Sequence, residues 1–241
     1  MFSKLRSLIF KVDPEKAHTL AIKSLKFNLV PNLFDENKND PIFQTKIFDK
    51  DLDNPIGMAA GFDKNAEVYN SLFKLGFGFV EVGTITPLKQ YGNPKPRVFR
   101  LVEDEALINR LGFNNHGAEI VKERIKRNKK LGLLGINIGP NKDSSDRLND
   151  YLIGLKTFYD DADYITINIS SPNTENLRTF HEGDKLQDLL KSIMAERKNL
   201  KSNIPIAVKV SPDISEDQVN KISEILLEYE IKAIIVSNTS E

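Results

Sequence analysis

Ile204-Pro-Ile-Ala-Val-Lys-Val210 is apolar on both faces apart from one lysine, and Ala233-Ile-Ile-Val236 repeats the pattern with no polar residue at all. A strand with one wet face alternates apolar and polar positions, whereas a strand of a parallel sheet covered by helices does not. Outward from these two runs, further strands are predicted near 55–60, 78–83, 132–138 and 164–169, with helical patterns near 65–75, 115–130, 146–160, 184–201 and 215–229. Strand and helix alternate, so the repeating unit is βα. Asn54 to Glu241 is 188 residues for six such units, and eight would take roughly the 250 residues of a closed barrel. The expected fold is therefore α/β: a (β/α)8 TIM-type barrel, here about six of eight βα units. An open arc of six strands leaves two apolar edges, which folded proteins avoid; the chain is accordingly expected to be part of a longer protein.

The 241 residues are 40% hydrophobic, enough for one sizeable core with a small appendage. Lys plus Arg equals Asp plus Glu at 34 each, so no general basic field favours nucleic acid. The absence of cysteine excludes disulfides, a thiolate nucleophile and iron–sulfur clusters in this chain. His18, His116 and His181 lack ligand-like spacing, and no metal site is expected. No apolar run approaches the ~20 residues of a membrane-spanning helix, and no signal peptide is evident.

Residues 1–12 place Phe2, Leu5, Ile9 and Val12 on one helical face. Asp13-Pro14 then reads as a cap and first turn of a second helix carrying Ala17, Ala21 and Leu25. Over residues 1–30 this helical pair holds six basic side chains against two acidic ones. Such a pair can lie in a bilayer interface or simply pack on the main domain. The expected organisation is an N-terminal helical segment, 1–38, followed by a barrel domain, 39–241. Ile42 to Phe48 reads as a small hairpin arm, and residues 94–108, with Pro94 and Pro96, as a hairpin over the active end.

Chemistry on a βα barrel gathers at the C-terminal strand ends, and polar residues fall there in this chain. Lys64, Thr84, Asn137, Asn168 with Ser171, Lys209, and Asn238 with Thr239 follow or close the six predicted strands. The densest stretch is Tyr164-Ile-Thr-Ile-Asn-Ile-Ser-Ser-Pro-Asn-Thr-Glu-Asn-Leu-Arg178, a strand running into a loop of hydroxyls and amides. It reads either as a strand end with a Ser-Pro-Asn turn or as a surface that recognises a flat polar heterocycle. Lys209 sits in an apolar run and needs an anionic neighbour, either a ligand or a core carboxylate.

Ala59-Ala-Gly-Phe-Asp-Lys-Asn65, Glu81-Val-Gly-Thr-Ile-Thr-Pro87, Ile108-Asn-Arg-Leu-Gly-Phe-Asn-Asn115, Gly135-Ile-Asn-Ile-Gly139, Ile206-Ala-Val-Lys-Val-Ser-Pro212 and Val236-Ser-Asn-Thr239 occur in this order around that stretch. Together they resemble class 2 dihydroorotate dehydrogenase, the quinone-dependent flavoprotein of pyrimidine synthesis. The resemblance runs from Asp13 onward and lacks the family's C-terminal part. It implies FMN as cofactor, held by Ala60, Gly61, Thr84, Asn137, Asn168, Lys209 and Ser237, the last standing where threonine is commoner. It implies dihydroorotate or orotate bound by Lys64, by Asn109, Arg110, Leu111, Gly112 and Phe113 of the active-site loop, and by Asn168, Asn173, Asn238 and Thr239. Ser171 corresponds to the family's catalytic base and Thr174 to its proton relay, while His18 and Arg100 correspond to the quinone entrance. The N-terminal pair then makes a peripheral contact with the cytoplasmic face of a bacterial-type inner membrane. Two rival readings are a truncated, cofactor-poor inactive homologue and another FMN-dependent barrel such as a dihydrouridine synthase. That second family uses a catalytic cysteine and a basic RNA surface, and this chain has neither.

Overall fold

A computed structural model describes residue 6 and residues 9–29, 40–174 and 176–240. Most of the first predicted helix, and the proposed boundary at 38/39, lie outside the described residues. The second helix is α1, Pro14–Lys26, started by Asp13, whose carboxylate accepts from the Lys16 N–H at 2.9 Å, and by proline in the first turn. Among the described residues no helix is long and apolar enough to cross a membrane.

The strands in chain order are β1 Thr45–Ile47, β2 Lys50–Leu52, β3 Gly57–Met58, β4 Phe79–Ile85, β5 Val98–Leu101, β6 Ala106–Asn109, β7 Leu133–Ile138, β8 Tyr164–Asn168, β9 Ile206–Val210 and β10 Ala233–Val236. Six of them form one parallel sheet in the order β10-β9-β8-β7-β4-β3. Each strand pairs with the next in sequence once the β5–β6 hairpin is set aside, which is the sheet of a partial TIM-type barrel. β3 and β10 are its ends, and on β10 Ile234 and Val236 are 47% and 75% exposed, the apolar edge that the sequence predicts.

The remaining helices are α2 Tyr69–Lys74, α3 Ala118–Arg127, α4 Arg147–Phe158, α5 Gly183–Asn199 and α6 Glu216–Glu228. Val80, Val82, Leu134, Ile136, Ile165, Ile167, Ile206 and Val208 point outward into one core with helix residues such as Leu155, Leu189, Ile193 and Ile222. Alternate residues Leu133, Tyr164 and Ala207 point inward, where Leu52 of the arm packs on them. The period of two hidden in these continuous apolar runs thus separates two apolar environments. Gly135 makes the inner layer possible: a Cβ there would lie 2.1 Å from the Tyr164 ring.

The β1–β2 hairpin is the predicted arm, shifted a few residues toward the C-terminus, and a 3-10 turn at Pro41–Phe43 takes its first part. It covers the N-terminal mouth of the arc. Lys50 of the arm and Lys130 bond the buried carboxylate of Asp163, which also accepts from the Leu134 N–H at 2.7 Å. Burial alone would raise the Asp163 pKa, but the Leu134 N–H and the two ammonium groups outweigh it and hold the carboxyl below its ordinary value.

Two predicted helices are markedly shorter than their patterns, 115–130 forming only Ala118–Arg127 and 65–75 only Tyr69–Lys74. Residues 65–68 form a turn because the buried Asp63 carboxylate accepts from the Glu67 N–H at 2.8 Å and the Val68 N–H at 2.7 Å. That turn places Ala66 at a φ of 52° and delays α2 to Tyr69.

Candidate active site

Beyond their C-terminal ends, the strands enclose a cavity of about 220 Å³. Every strand of the sheet but β7 contributes one short segment. Ala60, Gly61 and Lys64 come from the turn after β3, and Thr84 from the end of β4, where Gly83 has a φ of 116° and a Cβ would lie 2.4 Å from the Asn137 carbonyl. Asn168, Ser171 and Asn173 follow β8, Lys209 lies on β9, and Asn238 and Thr239 follow β10. The β5–β6 hairpin delivers Asn109, Leu111, Gly112 and Phe113 from above. Phe113 takes a positive φ of 52°, and its ring rests beside Gly139, where an added Cβ would approach it to 3.1 Å. Lys64, Ser171 and Lys209, which are 145 positions apart at the extremes of the sequence, share one pocket.

Four expected residues do not line it. Asn137 lies one layer below and is fully buried; its Oδ1 accepts from Thr84 Oγ1 at 2.6 Å and from Asn168 Nδ2 at 3.2 Å. The Arg110 side chain turns outward, donating to the Pro96 carbonyl at 2.9 and 3.2 Å and lying over the Phe99 ring. Ser237 Oγ donates to the Asn238 carbonyl at 3.1 Å. Thr174 is buried, and its Oγ1 has no hydrogen-bond partner among the described residues.

The electrostatics of the pocket favour an anion. Burial is the largest influence on Lys64 and brings its pKa from 10.5 to about 8, with Glu15 opposing and Arg97 reinforcing the change. Lys209 is lowered by burial too, and the Glu81 carboxylate holds it up. Among the described residues neither ammonium forms an ion pair with a carboxylate; Lys64 donates to the Gly61 carbonyl, and two desolvated cations with no carboxylate in contact suit a ligand bearing negative charge. A Cβ on Gly61, whose φ is 110°, would meet no atom within 4 Å, leaving that wall open to a flat ring. Lys209, the Gly61 face and the amide wall of Asn168 are therefore compatible with an isoalloxazine bearing charge at its N1 and C2 oxygen region.

His18 and Arg100 line a second cavity of about 380 Å³ between α1 and the hairpin. Its wall includes Gly61, Lys64, Leu111 and Asn114, all of which also border the first. His18 meets Phe62 edge-on at 5.3 Å, and its pKa is lowered, by burial first and then by Lys64. Arg100 donates to the Val12 carbonyl at 2.7 Å and lies over the Phe10 ring. Glu15 of α1 is held by the buried Arg97, whose Nε donates to it at 3.1 Å, so the helix is tied to the hairpin. Burial opposes the effect, but the Arg97 hydrogen bond dominates and lowers the Glu15 pKa.

Sequence reasoning missed Glu81, Asn114 and His181. Glu81 interrupts an apolar strand just as Lys209 does, and that signal could have found it. Asn114 borders both cavities with a buried, unpartnered Oδ1. His181 is 3% exposed; its Nδ1 faces the Arg178 carbonyl at 2.9 Å and its Nε2 accepts from the Ser211 N–H at 3.2 Å, joining the Ser171 loop to the end of β9.

Parallel strands whose C-terminal ends surround one polar, cationic pocket define an α/β-barrel protein of the enzyme type. A family model described as dihydroorotate dehydrogenase matches residues 42–241. The chain belongs to the dihydroorotate dehydrogenase family. It is 46% identical over 245 residues to the dihydroorotate dehydrogenase (quinone) of Agrobacterium fabrum, covering 100% of this chain and 67% of that protein. It is 48% identical to the one from Bartonella tribocorum, covering 98% of this chain and 66% of the relative. A crystal structure of DHODH from Eimeria tenella in complex with ferulenol superposes with a TM-score of 0.88 at 37% identity, over 95% of this chain and 67% of that one. The chain thus spans about two thirds of the length of these relatives.

Proposed function

We propose that this chain is the larger part of a class 2 dihydroorotate dehydrogenase, oxidising (S)-dihydroorotate to orotate in pyrimidine biosynthesis with a membrane quinone as final electron acceptor. FMN, when bound, supplies the hydride acceptor for C6 of the substrate. The observation that carries the reading is the convergence of Lys64, Ser171 and Lys209 on one pocket. The name of the relatives, dihydroorotate dehydrogenase (quinone), supports the choice of a quinone.

In this reading Ser171 removes the C5 proton. A serine hydroxyl is a weak base and has to pass its own proton on. Thr174, three residues along the same loop with a buried, unpartnered Oγ1, is the hydroxyl assigned to relay that proton onward, taking it up and releasing its own toward water. Asn109, Asn173, Asn238 and Thr239 offer donors and acceptors to the ring amides, and Lys64 offers an ammonium to the carboxylate. Phe113, with Gly112 as a pivot, covers the substrate and excludes water. Ala60, Gly61, Thr84, Asn168 and Lys209 hold the flavin, supported by Asn137 and Ser237. The cavity between α1 and the hairpin admits the quinone past His18 and Arg100. Residues 1–38 dock on the cytoplasmic face of the inner membrane, and residues 39–241 form the flavin domain.

The test is optical. A purified protein carrying these residues is expected to be yellow and to bleach with dihydroorotate. Ser171→Ala should bind orotate normally and slow flavin reduction by several orders of magnitude. Near wild-type reduction of that variant in a stopped-flow instrument removes Ser171 from the mechanism. A membrane-bound fraction indifferent to deletion of residues 1–30 argues against the docking role.

A further inference from the structure

Glu81 has no part in the reading above, yet it is 4% exposed in the middle of β4 and directly beneath the pocket. Below it lies an apolar cavity of about 250 Å³, bounded by the arm and by Phe79, Tyr164 and Ile235, into which both Glu81 and Lys209 reach. A carboxylate in such a place is costly without partners. Glu81 has two clear ones: Oε1 accepts from Asn137 Nδ2 at 2.9 Å and Oε2 accepts from Thr166 Oγ1 at 2.8 Å.

These contacts have a direction. A carboxylate only accepts, so Asn137 must turn its NH2 downward and present Oδ1 upward. There Oδ1 receives the Thr84 hydroxyl at 2.6 Å and Asn168 Nδ2 at 3.2 Å, and Thr84 Oγ1 accepts from Asn168 Nδ2 at 2.8 Å. Asn168 is thereby set with its NH2 toward β4 and β7 and its Oδ1 away, where the Ser170 N–H and hydroxyl meet it at 3.1 and 2.7 Å. Ser170 Oγ in turn accepts from Asn238 Nδ2 at 2.9 Å. The amide wall of the pocket has one sense from Asn137 to Asn238, and Glu81 anchors its lower end.

We propose that Glu81 is a positioning residue of this active site, fixing the orientation of the Asn137 amide and supplying the counter-charge beneath Lys209. It touches neither substrate nor flavin and acts through those two side chains. The titratable groups facing this layer are Glu81 on β4, Tyr164 on β8 and Lys209 on β9, with Lys64 above them. Glu81 holds up the Lys209 pKa against burial. Burial first and Glu81 second push the Tyr164 hydroxyl well above its ordinary value, so Tyr164 stays neutral and Lys209 is the group that titrates.

The inference rests on the flavin reading, so the experiment uses the FMN-loaded protein and two measurements that do not require turnover. One is the midpoint potential as a function of pH, in which Lys209 deprotonation appears as a break; the other is the orotate Kd from the flavin spectrum. Glu81→Gln keeps shape but loses the charge, and its amide can offer either end to Asn137. The break is expected to move down by about one pH unit or more, and orotate to bind about tenfold more weakly. Wild-type values for both in Glu81→Gln overturn the proposal. Should that variant not fold, Glu81→Asp decides: it keeps the charge and withdraws from Asn137, so the break should stay while orotate affinity falls, and unchanged affinity overturns the proposal. A wild-type protein that takes up no FMN is a different result and defeats the parent reading.

Discussion

Lys64 gives the sharpest test of the pocket because its cost can be worked out. Its pKa falls from 10.5 to about 8, chiefly through burial. Each pKa unit is worth 1.36 kcal/mol, so holding this ammonium charged at neutral pH costs ~3 kcal/mol; its partial exposure reduces that to about 2 kcal/mol. The sign follows from linkage. Between pH 8 and 10.5 the unfolded chain binds the proton and the folded one does not, so stability rises with pH across that window and the penalty is constant below it. Lys64→Met is therefore expected to stabilise the ligand-free protein by about 2 kcal/mol at pH 7 and to flatten the rise above pH 8. Denaturant unfolding at pH 7, 8, 9 and 10 measures both effects. The same variant should lose orotate affinity at pH 7, and wild-type affinity should itself decline as pH passes about 8 and the ammonium discharges. A Lys64→Met protein that is less stable than wild type at pH 7, or wild-type orotate binding that is flat from pH 7 to 9.5, refutes the argument.

His181 accepts the Ser211 N–H on Nε2 and must be neutral to do so. Its pKa lies below 6.5, through burial first, with the Arg178 carbonyl opposing, so its contribution is complete above pH 6.5 and is lost as pH falls through the folded value. His181→Gln should flatten the decline of the thermal midpoint between pH 7 and 5; His18 and His116 are lowered as well, and the difference between variant and wild type isolates this one. Asp163→Ala leaves Lys130 and the Leu134 N–H without their acceptor and unpins the arm. A loss of about 2–3 kcal/mol in denaturant unfolding is expected, below the range for fully buried pairs because Lys50 is 53% exposed.

Much of the sheet was legible because parallel strands buried on both faces have few ways to look. The runs at 78–83, 132–138, 164–169, 204–210 and 232–237 each lie within two residues of β4, β7, β8, β9 and β10 at both ends. The helices were legible where caps were explicit, as at Ser215, which exchanges hydrogen bonds with Gln218 in a capping box at the start of α6. What failed to show was side-chain direction. Arg110 sits just past β6 between Asn109 and Leu111, both lining the pocket, but the nearby Pro96 carbonyl draws its guanidinium away. The start of α2 was hidden because a buried carboxylate, Asp63, captured the N–H groups of the predicted first turn. Glu81 carried the same signal as Lys209, a charge in an apolar strand, and a charge becomes meaningful only once its partner on another strand is known.

Gly61, Lys64, Leu111 and Asn114 form a party wall between the two cavities. Any change there is felt by both tenants at once, whereas a change at His18 or Arg100 faces one side only. A change that moves the Lys64 side chain therefore alters the shape of both cavities. Selectivity for one occupant is thus best sought at positions 18 and 100, and resistance that arises at 61 or 64 should carry a toll on the neighbour.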